Sequence, residues 1–390
     1  MRVSVPFCRS VWEYVGPYDT TQESSVLSRR WSCIPFVQPF RIPDWPEVSY
    51  AMSPLNGTTI QAFLRLAGVS GLEAPPTVRQ EGGYGDEERY HISTPSRPML
   101  LVRYPSGAHD RLRRDVAGLR LAGEVGVGPE LLAVDETGKA LGGPVVVFAA
   151  PRGRSPGAGP LSADDVKWWL FLLLTLHHLP PERVEVVSSM SPDAATWWQR
   201  AQASLLACRT AYAAPVYRPL LDSLMRTATV IGVHVQAQRE PWRNATRRPC
   251  HGNPAPANMF RDGARMMLVE WDAFGLGDPA LEVGRVAVLA TLAGSLTKDQ
   301  YTRFLPDYLA GMRDLGDATL AERLRLVTDI MPMGFCLTVL TLLAKEQLPP
   351  AERSRQLDAV ARAMLWMQRS LGLKEDDPAT LLAPLRSTRR

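Results

Sequence analysis

Apolar positions in the first half of the chain follow the period of helices in some stretches and the alternation of strands in others. In "NGTTIQAFLRLAG" the residues Ile60, Phe63, Leu64 and Ala67 share one helical face, and Gly68 ends the helix. Strands are predicted in "TVRQEGGYGDEERYHIST", in "PMLLVRYPS" and twice in "PELLAVDETGKALGGPVVVFAA", with a helix in "DRLRRDVAGLRLAGEV" between them. These elements predict a small sheet with one helix packed on it.

The pattern becomes mostly helical after "PRGRSP" at 151–156. The first helix is predicted in "SADDVKWWLFLLLTLHHL", where Ser162 can cap and Asp164 and Asp165 suit the positive first turn. The strand-rich stretch of this half is 247–284, "RRPCHGNPAPANMFRDGARMMLVEWDAFGLGDPALEVG". The order predicts a β-rich N-lobe over 52–152, a hinge, and a helical C-lobe that carries a polar site on short strands.

The predicted C-lobe covers 153–380, and 381–390 forms a basic tail. Residues 1–51 differ from the rest, since they show no sustained period of 2 or 3.6. They fit either a partly ordered extension or an upstream read-through of a start at Met52. As an extension, we expect them to become ordered on a protein partner.

Composition limits the class of protein. With 45% hydrophobic and 22% charged residues among 390, the chain can bury one large core or two smaller ones. The apolar runs Trp168–Leu176 and Gly334–Ala344 are shorter than the roughly 20 residues that cross a bilayer, and they predict buried helices rather than membrane contact. The N-terminus lacks the apolar core of a secretory signal, and the five cysteines lack metal-binding spacing, so we expect a reducing cytoplasm.

The charge pattern argues against nucleic-acid binding. The formal net charge is only +4, and no basic run is interleaved with aromatic residues as a nucleic-acid groove requires.

The motifs "HGNPAPAN" and "LVEWDAFGLGDPALEVG" resemble those of the aminoglycoside phosphotransferase and choline kinase superfamily. That family has HGDxxxxN, then a hydrophobic residue followed by Asp-Trp, then GDPxxD. The resemblance covers about residues 60–375. It implies an α+β, bilobal, protein-kinase-like fold, with ATP and Mg²⁺ between the lobes and transfer of the terminal phosphate to a hydroxyl.

The resemblance also assigns roles in the catalytic region. His251 would support the catalytic loop, Asn253 takes the place of the catalytic Asp, and Asn258 matches the metal-binding Asn. Glu270 precedes Trp271 as the family's metal-binding Asp precedes its Trp.

Three further acids accompany these residues. Asp278 and Glu282 fit the acidic positions of the stabilising turn and helix. Asp272 is a poorer match for the metal ligand by register, and we consider it as a substitute catalytic base.

In the N-lobe, the resemblance makes Arg103 the cation on the ATP phosphates and Asp115 its partner on the following helix. The alternative for these two residues is a surface ion pair. The glycines of the predicted strand-connecting loop would let backbone amides approach phosphate, although "GGYG" lacks the full GxGxxG pattern; they are Gly82, Gly83 and Gly85.

Two carboxylates of the family pattern are altered. Asn253 can orient a hydroxyl but cannot accept its proton, and loss of one general base costs ~10²–10⁴ in rate. Glu270 can bind Mg²⁺ through oxygen, but its longer side chain requires a shifted backbone, which a hairpin one residue shorter than the family's could supply. The alternatives are a phosphotransferase, slow or with another base, and a catalytically impaired pseudokinase that binds nucleotide and a partner protein or peptide.

The acceptor side has an excess of positive charge. Between Met190 and Arg248 there are eight arginines against three acids, the reverse of what a polycationic aminoglycoside requires. An anionic or neutral small molecule (metabolite or antibiotic), a modified peptide or a protein surface suits this balance better.

Other chemistry-bearing residues favour structural interpretations. Trp168, Trp169, Trp197 and Trp198 are expected in the core or an interface rather than in a stacking platform. His177 and His178 are expected to be one packed and one solvated histidine. A Cys250–His251 nucleophilic pair is disfavoured, because adjacent strand residues point to opposite faces.

Overall fold

The computed structural model describes residues 55–81, 86–156, 159–184, 194–243, 245–374 and 376–387. The segment 1–51 and the glycines Gly82, Gly83 and Gly85 lie outside this set, so what the sequence predicts for them stays a prediction. Below, the N-lobe means the described residues before 153 and the C-lobe those after it.

The N-lobe is built on a five-stranded antiparallel sheet with the strand order β1-β2-β3-β5-β4. Its strands are β1 (Thr77–Glu81), β2 (Glu88–Ser93), β3 (Pro98–Arg103), β4 (Leu131–Asp135) and β5 (Val145–Ala149). The run of β-branched residues in β5 suits a strand buried on both faces, and β5 lies between β3 and β4.

Each face of this sheet is covered by a different helix. Helix α1 (Gly57–Leu66) packs on the face that carries Leu101. Helix α2 (His109–Val125) packs on the opposite face, which carries Val102. Because neighbours along a strand alternate in direction, the face of every residue in β2 and β3 follows from these two contacts.

Helix α2 also lies directly against the C-lobe. A Cβ on Gly118 would lie 2.8 Å from Trp271, so the helix backbone touches this fully buried indole. Leu119 belongs to the same buried cluster as Trp169 and Trp271. The two lobes therefore share this hydrophobic cluster, and the residues between α1 and the other face of the sheet form a separate one.

The C-lobe is mostly helical. Its helices are α3 (Ala163–His177), α4 (Ala194–Ala211), α5 (Arg218–Ala237), α6 (Arg239–Arg243), α7 (Pro279–Ala293), α8 (Lys298–Gly311), α9 (Leu320–Ala344), α10 (Pro350–Ser370) and α11 (Pro378–Ser387). Ser162 and Asp165 form a capping box at the start of α3, whose inner face buries Trp169. Residues 381–387 of the predicted basic tail lie in α11. The mixed α+β architecture, with the sheet first and the helices after it, is the one that the pattern predicts.

Two small antiparallel ribbons carry the polar stretch of the C-lobe. Strand β6 (Arg248–Cys250) pairs with β9 (Gly275–Gly277), and β7 (Met259–Asp262) pairs with β8 (Arg265–Leu268). The loop from 251 to 258 joins the two ribbons, and the segment from 269 to 274 returns between them. These two connections therefore lie side by side.

Helix α9, with 25 residues, is the longest helix of the described residues. Among the described residues it is the one helix long and apolar enough to cross a membrane, and 78% of its most apolar window is buried inside the fold. It packs against α4, α7 and α10, as a core helix does. The apolar run 334–344 forms its second half. Trp169, Trp197 and Trp198 are likewise buried.

Candidate active site

His251 follows β6 directly and is fully buried. Its two partners assign the tautomer: Nε2–H donates to Val269 O at 2.9 Å, and Nδ1 accepts from the Asn253 N–H at 3.2 Å. Burial lowers the pKa of His251 to about 4, despite the opposing charge of Glu282. A neutral ring is required, since a protonated Nδ1 could not accept from Asn253. His251 thus fixes the backbone of the loop.

Both backbone polar groups of Gly252, its N–H and its carbonyl, are hydrogen-bonded to side chains of α7. Its N–H donates to Glu282 Oε1 at 2.6 Å, and its carbonyl accepts from Arg285 Nη2. Its φ is +85°, and a Cβ would lie 2.2 Å from Ala273 O. Glycine is therefore required here for both its backbone conformation and its small size.

Glu282 belongs to a buried chain of hydrogen bonds. His177 Nε2 donates to Glu282 Oε2 at 2.8 Å, and His177 Nδ1 lies within hydrogen-bond distance of the Tyr308 hydroxyl, at 2.7 Å. Burial by itself would raise the pKa of Glu282, but the hydrogen bond and charge of His177 outweigh it, so the pKa is lowered. The sequence interpretation places one buried and one solvated histidine here, and His177 is buried while His178 is exposed. The sequence analysis did not predict that His177 supports Glu282.

Asp278 caps α7 and anchors it to α9. It accepts from Ala280 N at 2.8 Å and from Arg323 Nε at 2.9 Å. Arg323 is fully buried and also pairs with Asp317 at 2.8 Å. The turn that starts α7 is therefore tied to its own helix by the cap and to α9 by Arg323.

Asn253 and Asn258 lie on the same loop and are bonded to each other. Asn258 Nδ2 donates to Asn253 O at 2.9 Å, which leaves Oδ1 as the amide atom for a ligand. Val269 N donates to Asn258 O at 2.9 Å, and Val269 O accepts from His251. The main chain of Val269 is thus hydrogen-bonded to both ends of the 251–258 loop. Because Val269 precedes Glu270 directly, it places that loop beside Glu270.

Glu270 has an unusual backbone conformation for a residue with a side chain. Its φ is +69°, in the left-handed region that non-glycine residues rarely adopt. The backbone shift that the sequence analysis expects for the longer side chain stays a prediction. Both carboxylate oxygens contact Arg89, with Nη2 at 2.5 Å from Oε2. Burial would raise the pKa of Glu270, but the charge of Arg89 outweighs it and lowers the pKa.

Asp272 is half-buried two residues further on. Its Oδ2 lies 3.5 Å from Arg111 Nη2, and its carbonyl accepts from Arg114 Nε at 3.0 Å. Burial and the charge of Glu270 raise the pKa of Asp272 to about 6, although Arg111 opposes this. A carboxylate with such a pKa can take up a proton near neutral pH.

Arg103 lies on the α1 face of the sheet. Val102 and Tyr104 belong to the core cluster of α2, whereas Arg103 alternates with them and shares the face of Leu101. Its guanidinium is almost fully buried and pairs with Glu88, with Nε at 2.8 Å from Oε2. The expected ion pair with Asp115 is therefore wrong. The alternative of a surface ion pair is wrong as well, because both side chains are buried.

Asp115 instead accepts from the Tyr104 hydroxyl at 2.6 Å. Burial raises the pKa of Asp115 to about 7, and the hydrogen bond from Tyr104 only partly opposes this. Tyr104, the residue that follows β3, therefore places a phenol on the α2 side, and its partner on α2 is the Asp115 carboxyl group, whose pKa is about 7.

The sequence reasoning missed the arginines that face the cleft. Arg89 contacts Glu87 and Glu270, and Arg111 contacts Glu87 and Asp272. Strand alternation was the available signal, because Arg89 pairs with Val102 in the sheet register. The face that turns toward the C-lobe depends on long-range packing, which the sequence pattern does not contain.

Cys250 is buried, and burial raises the pKa of its thiol well above the usual value. Its Sγ lies 3.9 Å from His177 Nε2, not beside the ring of His251. A thiol with a raised pKa is a poor nucleophile, in agreement with the interpretation from strand alternation.

Asn258 and Glu270, the two metal-ligand positions of the motif, suit a divalent cation. Asn258 Oδ1 and the Glu270 carboxylate are oxygen ligands of the kind that Mg²⁺ prefers. The Glu270 carboxylate already contacts a cationic group, Arg89. Its charge, together with burial, also raises the pKa of Asp272.

Comparisons with known proteins agree with this geometry. The sequence profile of the phosphotransferase enzyme family matches residues 78–323, more than half of the chain. A search of curated proteins finds no significant match.

Solved structures show the same fold. A candidate aminoglycoside phosphotransferase from Ralstonia eutropha is 14% identical, with a TM-score of 0.54, over 81% of this chain and 97% of the other. The ADP-bound aminoglycoside phosphotransferase APH(2'')-Ib is 10% identical, with a TM-score of 0.50, over 81% of this chain and 99% of the other. At these identities the comparison shows the fold alone, the bilobal kinase-like arrangement that the motifs predicted.

Proposed function

Because this chain belongs to the phosphotransferase enzyme family, we propose that it transfers the γ-phosphate of ATP to a hydroxyl group of a small metabolite, an antibiotic or a modified peptide. The observation that carries the proposal is the pair of hydrogen bonds made by the main chain of Val269. It bonds to Asn258 on one side and to His251 on the other, so the loop and Glu270 are held together. Phosphoryl transfer depends on such positioning more than on covalent chemistry by the protein.

Asn258 and Glu270 would hold Mg²⁺, which neutralises the negative charge of the phosphates during transfer. Asn253 would orient the acceptor hydroxyl through its amide, on a backbone fixed by His251 and Asn258. Since an amide does not accept the hydroxyl proton, Asp272 is the proposed acceptor of that proton. Its raised pKa of about 6 suits a base that works near neutral pH. The ADP-bound relative supports a purine nucleotide as the donor.

The proposed acceptor is anionic or neutral. The eight arginines counted in the sequence lie in helices α4 to α6, in the loop before β6 and in β6 itself, and six of them are exposed: Arg200, Arg209, Arg218, Arg226, Arg243 and Arg247. A polycationic acceptor would be repelled by this surface.

A second candidate function is a kinase-like protein that binds nucleotide or a partner without transfer. The observation that favours it is the contact of Arg89 with both oxygens of Glu270, because the carboxylate of a proposed metal ligand is engaged by a side chain of the protein itself. Asn253 also favours this function, since its amide cannot act as a general base.

Two measurements separate these functions. Mg-ATP at millimolar concentration should raise the melting temperature, since a ligand that binds the native state stabilises it. Transfer should then appear as ADP formation that depends on a hydroxyl compound, with the phosphorylated product identified by mass spectrometry. Binding without transfer to any compound in a broad panel favours the second function. If Mg-ATP leaves the melting temperature unchanged, both functions are contradicted, because both require nucleotide binding.

A further inference from the structure

Arg89 lies on the face of the N-lobe sheet that turns toward the C-lobe. In the register of β2 and β3, Arg89 is opposite Val102, and residues opposite each other share a face. Val102 belongs to the core cluster of α2, whereas Arg103 shares the α1 face with Leu101. Of these two strand arginines, Arg89 is therefore the one that reaches the C-lobe.

The guanidinium of Arg89 is held on two sides by carboxylates. Glu87, which is almost fully buried, accepts from its Nε at 2.8 Å and from its Nη2 at 2.5 Å. Glu270 of the C-lobe accepts from Nη1 and Nη2. The fork of donors is thus aimed across the cleft at a group with two oxygens.

The contact with Glu270 is incompatible with a metal ion at full contact on the same carboxylate. Mg²⁺ requires its oxygen ligands at about 2.0–2.1 Å in a near-octahedral arrangement. A guanidinium at 2.5 Å from Oε2 and in contact with Oε1 occupies the directions that such an ion would use, and it repels the ion electrostatically. Arg89 must therefore move off Glu270 when a metal ion binds there.

Phosphate is the partner that fits the displaced guanidinium. Arginine binds phosphate oxygens through the same planar fork with which it binds a carboxylate. A phosphate group that shares a metal ion with Glu270 would lie close to the present position of that carboxylate. Glu87 keeps the guanidinium at the cleft during the exchange.

We propose that Arg89 is the phosphate-binding cation of the N-lobe, and that it exchanges Glu270 for the nucleotide phosphates when the metal-nucleotide complex binds. The inference rests on the proposed function, because it requires nucleotide in the cleft. Metal and nucleotide then bind cooperatively. Metal alone must displace Arg89 without offering it another partner, whereas the metal-nucleotide complex provides one.

The full-length chain and three variants test this assignment, with Mn²⁺ and ADP as probes. Free Mn²⁺ is followed by electron paramagnetic resonance, and Mn-ADP binding by calorimetry. In Arg89→Gln, Mn-ADP affinity should fall by about tenfold or more, because a charge-assisted pair to phosphate is lost. Affinity for Mn²⁺ alone should rise several-fold, because Glu270 is released.

Arg89→Lys keeps the charge but not the fork, so its Mn-ADP affinity should lie between those of the wild type and Arg89→Gln. It also keeps the test valid if the Gln variant folds poorly. Arg97→Gln is the matched control, since Arg97 is another N-lobe arginine in an ion pair, with Glu130 at 2.9 Å. It should change neither affinity.

The outcomes distinguish this inference from the proposed function. If the wild type does not bind Mn-ADP, the phosphotransferase proposal fails and this inference fails with it. If the wild type binds Mn-ADP and Arg89→Gln binds it equally well, only the assignment of Arg89 is overturned. A parallel loss of Mn²⁺ and Mn-ADP affinity in Arg89→Gln would also overturn it, since that result means that Arg89 merely maintains the shape of the cleft.

Discussion

Asn253 and Glu270 alter the chemistry of the site in different ways. At Asn253 the side chain loses the ability to take up a proton, while its backbone is held by His251 and Asn258. At Glu270 the charge is kept, the side chain is one methylene longer, and the backbone is left-handed. The first change affects the reaction itself, and the second affects the placement of a ligand.

Replacing Asn253 by Asp should restore a conventional base. In a working phosphotransferase we expect turnover to rise by up to ~10², and Asn253→Ala should abolish the remaining activity. In a non-catalytic relative, Asn253→Asp alone should change little, and only the combination with Glu270→Asp should produce transfer. Steady-state ADP release in the presence of acceptor measures the effect.

Asn56→Asp is the control for this series, because it makes the same chemical change at the cap of α1. It should leave turnover unaltered. A wild-type rate that is indifferent to Asn253→Ala would mean that the catalytic loop is aligned on the wrong residues.

Asp115 makes stability depend on pH in an unusual direction for a carboxyl group. Its pKa is raised from 3.8 to about 7 in the folded protein, so the folded state binds more protons than the unfolded state between these values. Its contribution to stability is therefore full below about pH 4 and is lost as the pH rises through 7. The size of this loss is on the order of 4 kcal/mol at most.

Asp115→Asn should remove this dependence. His251 has the opposite effect, since its lowered pKa of about 4 makes stability fall as the pH drops below 6.5. In the variant we expect the free energy of unfolding, measured by urea titration, to decline less from pH 5 to pH 8 than in the wild type. Asp110→Asn changes an exposed acid on the same helix and should keep the wild-type slope. Parallel slopes in Asp115→Asn and wild type would refute the assignment.

At the scale of elements, three helices converge on the catalytic loop. Tyr308 of α8, His177 of α3 and Glu282 of α7 form one chain of hydrogen bonds that ends at the Gly252 N–H. The loop itself has little regular structure, so its shape depends on this support. Glu282 was predicted because the GDPxxD spacing reports it, whereas His177 and Tyr308 lie far away in the sequence and match no motif.

His177→Leu should destabilise the protein by about 3–5 kcal/mol, because it leaves the buried Glu282 carboxylate without its charge-stabilising partner. Tyr308→Phe removes one hydrogen bond and should cost only about 1 kcal/mol. Chemical denaturation gives both values. His178→Leu, at the exposed neighbour, serves as the control and should be nearly neutral. Equal effects of His177→Leu and His178→Leu would show that the hydrogen-bond chain contributes nothing.

The sheet shows where sequence patterns stop being informative. Strand β3 and its arginine were predicted correctly as an element, and alternation separates Arg103 from Tyr104. Alternation does not state which face meets α2, because that choice depends on contacts such as Arg89 with Glu270, which are far apart in the chain. The motif residues of the C-lobe were found because they are close in sequence, and the arginines of the cleft were missed because they are not.

At the scale of the whole molecule, the lobes share their hydrophobic interior. Leu119 of the N-lobe and Trp169 and Trp271 of the C-lobe belong to one buried cluster, and α2 touches Trp271 at Gly118. Composition allows one large core or two smaller ones, and the structure has one cluster shared by both lobes and a second one between α1 and the sheet. The ion pairs of Arg89 and Arg111 across the cleft are thus accompanied by a continuous apolar contact between the lobes.

A shared core predicts that the lobes unfold together. Seven of the ten tryptophans lie at position 168 or beyond, so tryptophan fluorescence mainly reports on the C-lobe. Leu119→Ala in the N-lobe should destabilise by about 2–5 kcal/mol and should shift the fluorescence and circular dichroism transitions by the same amount. Leu206→Ala, at a 62% exposed position of α4, should shift neither. Two separate transitions, or a fluorescence transition that Leu119→Ala does not move, would show that the lobes are energetically independent despite their contact.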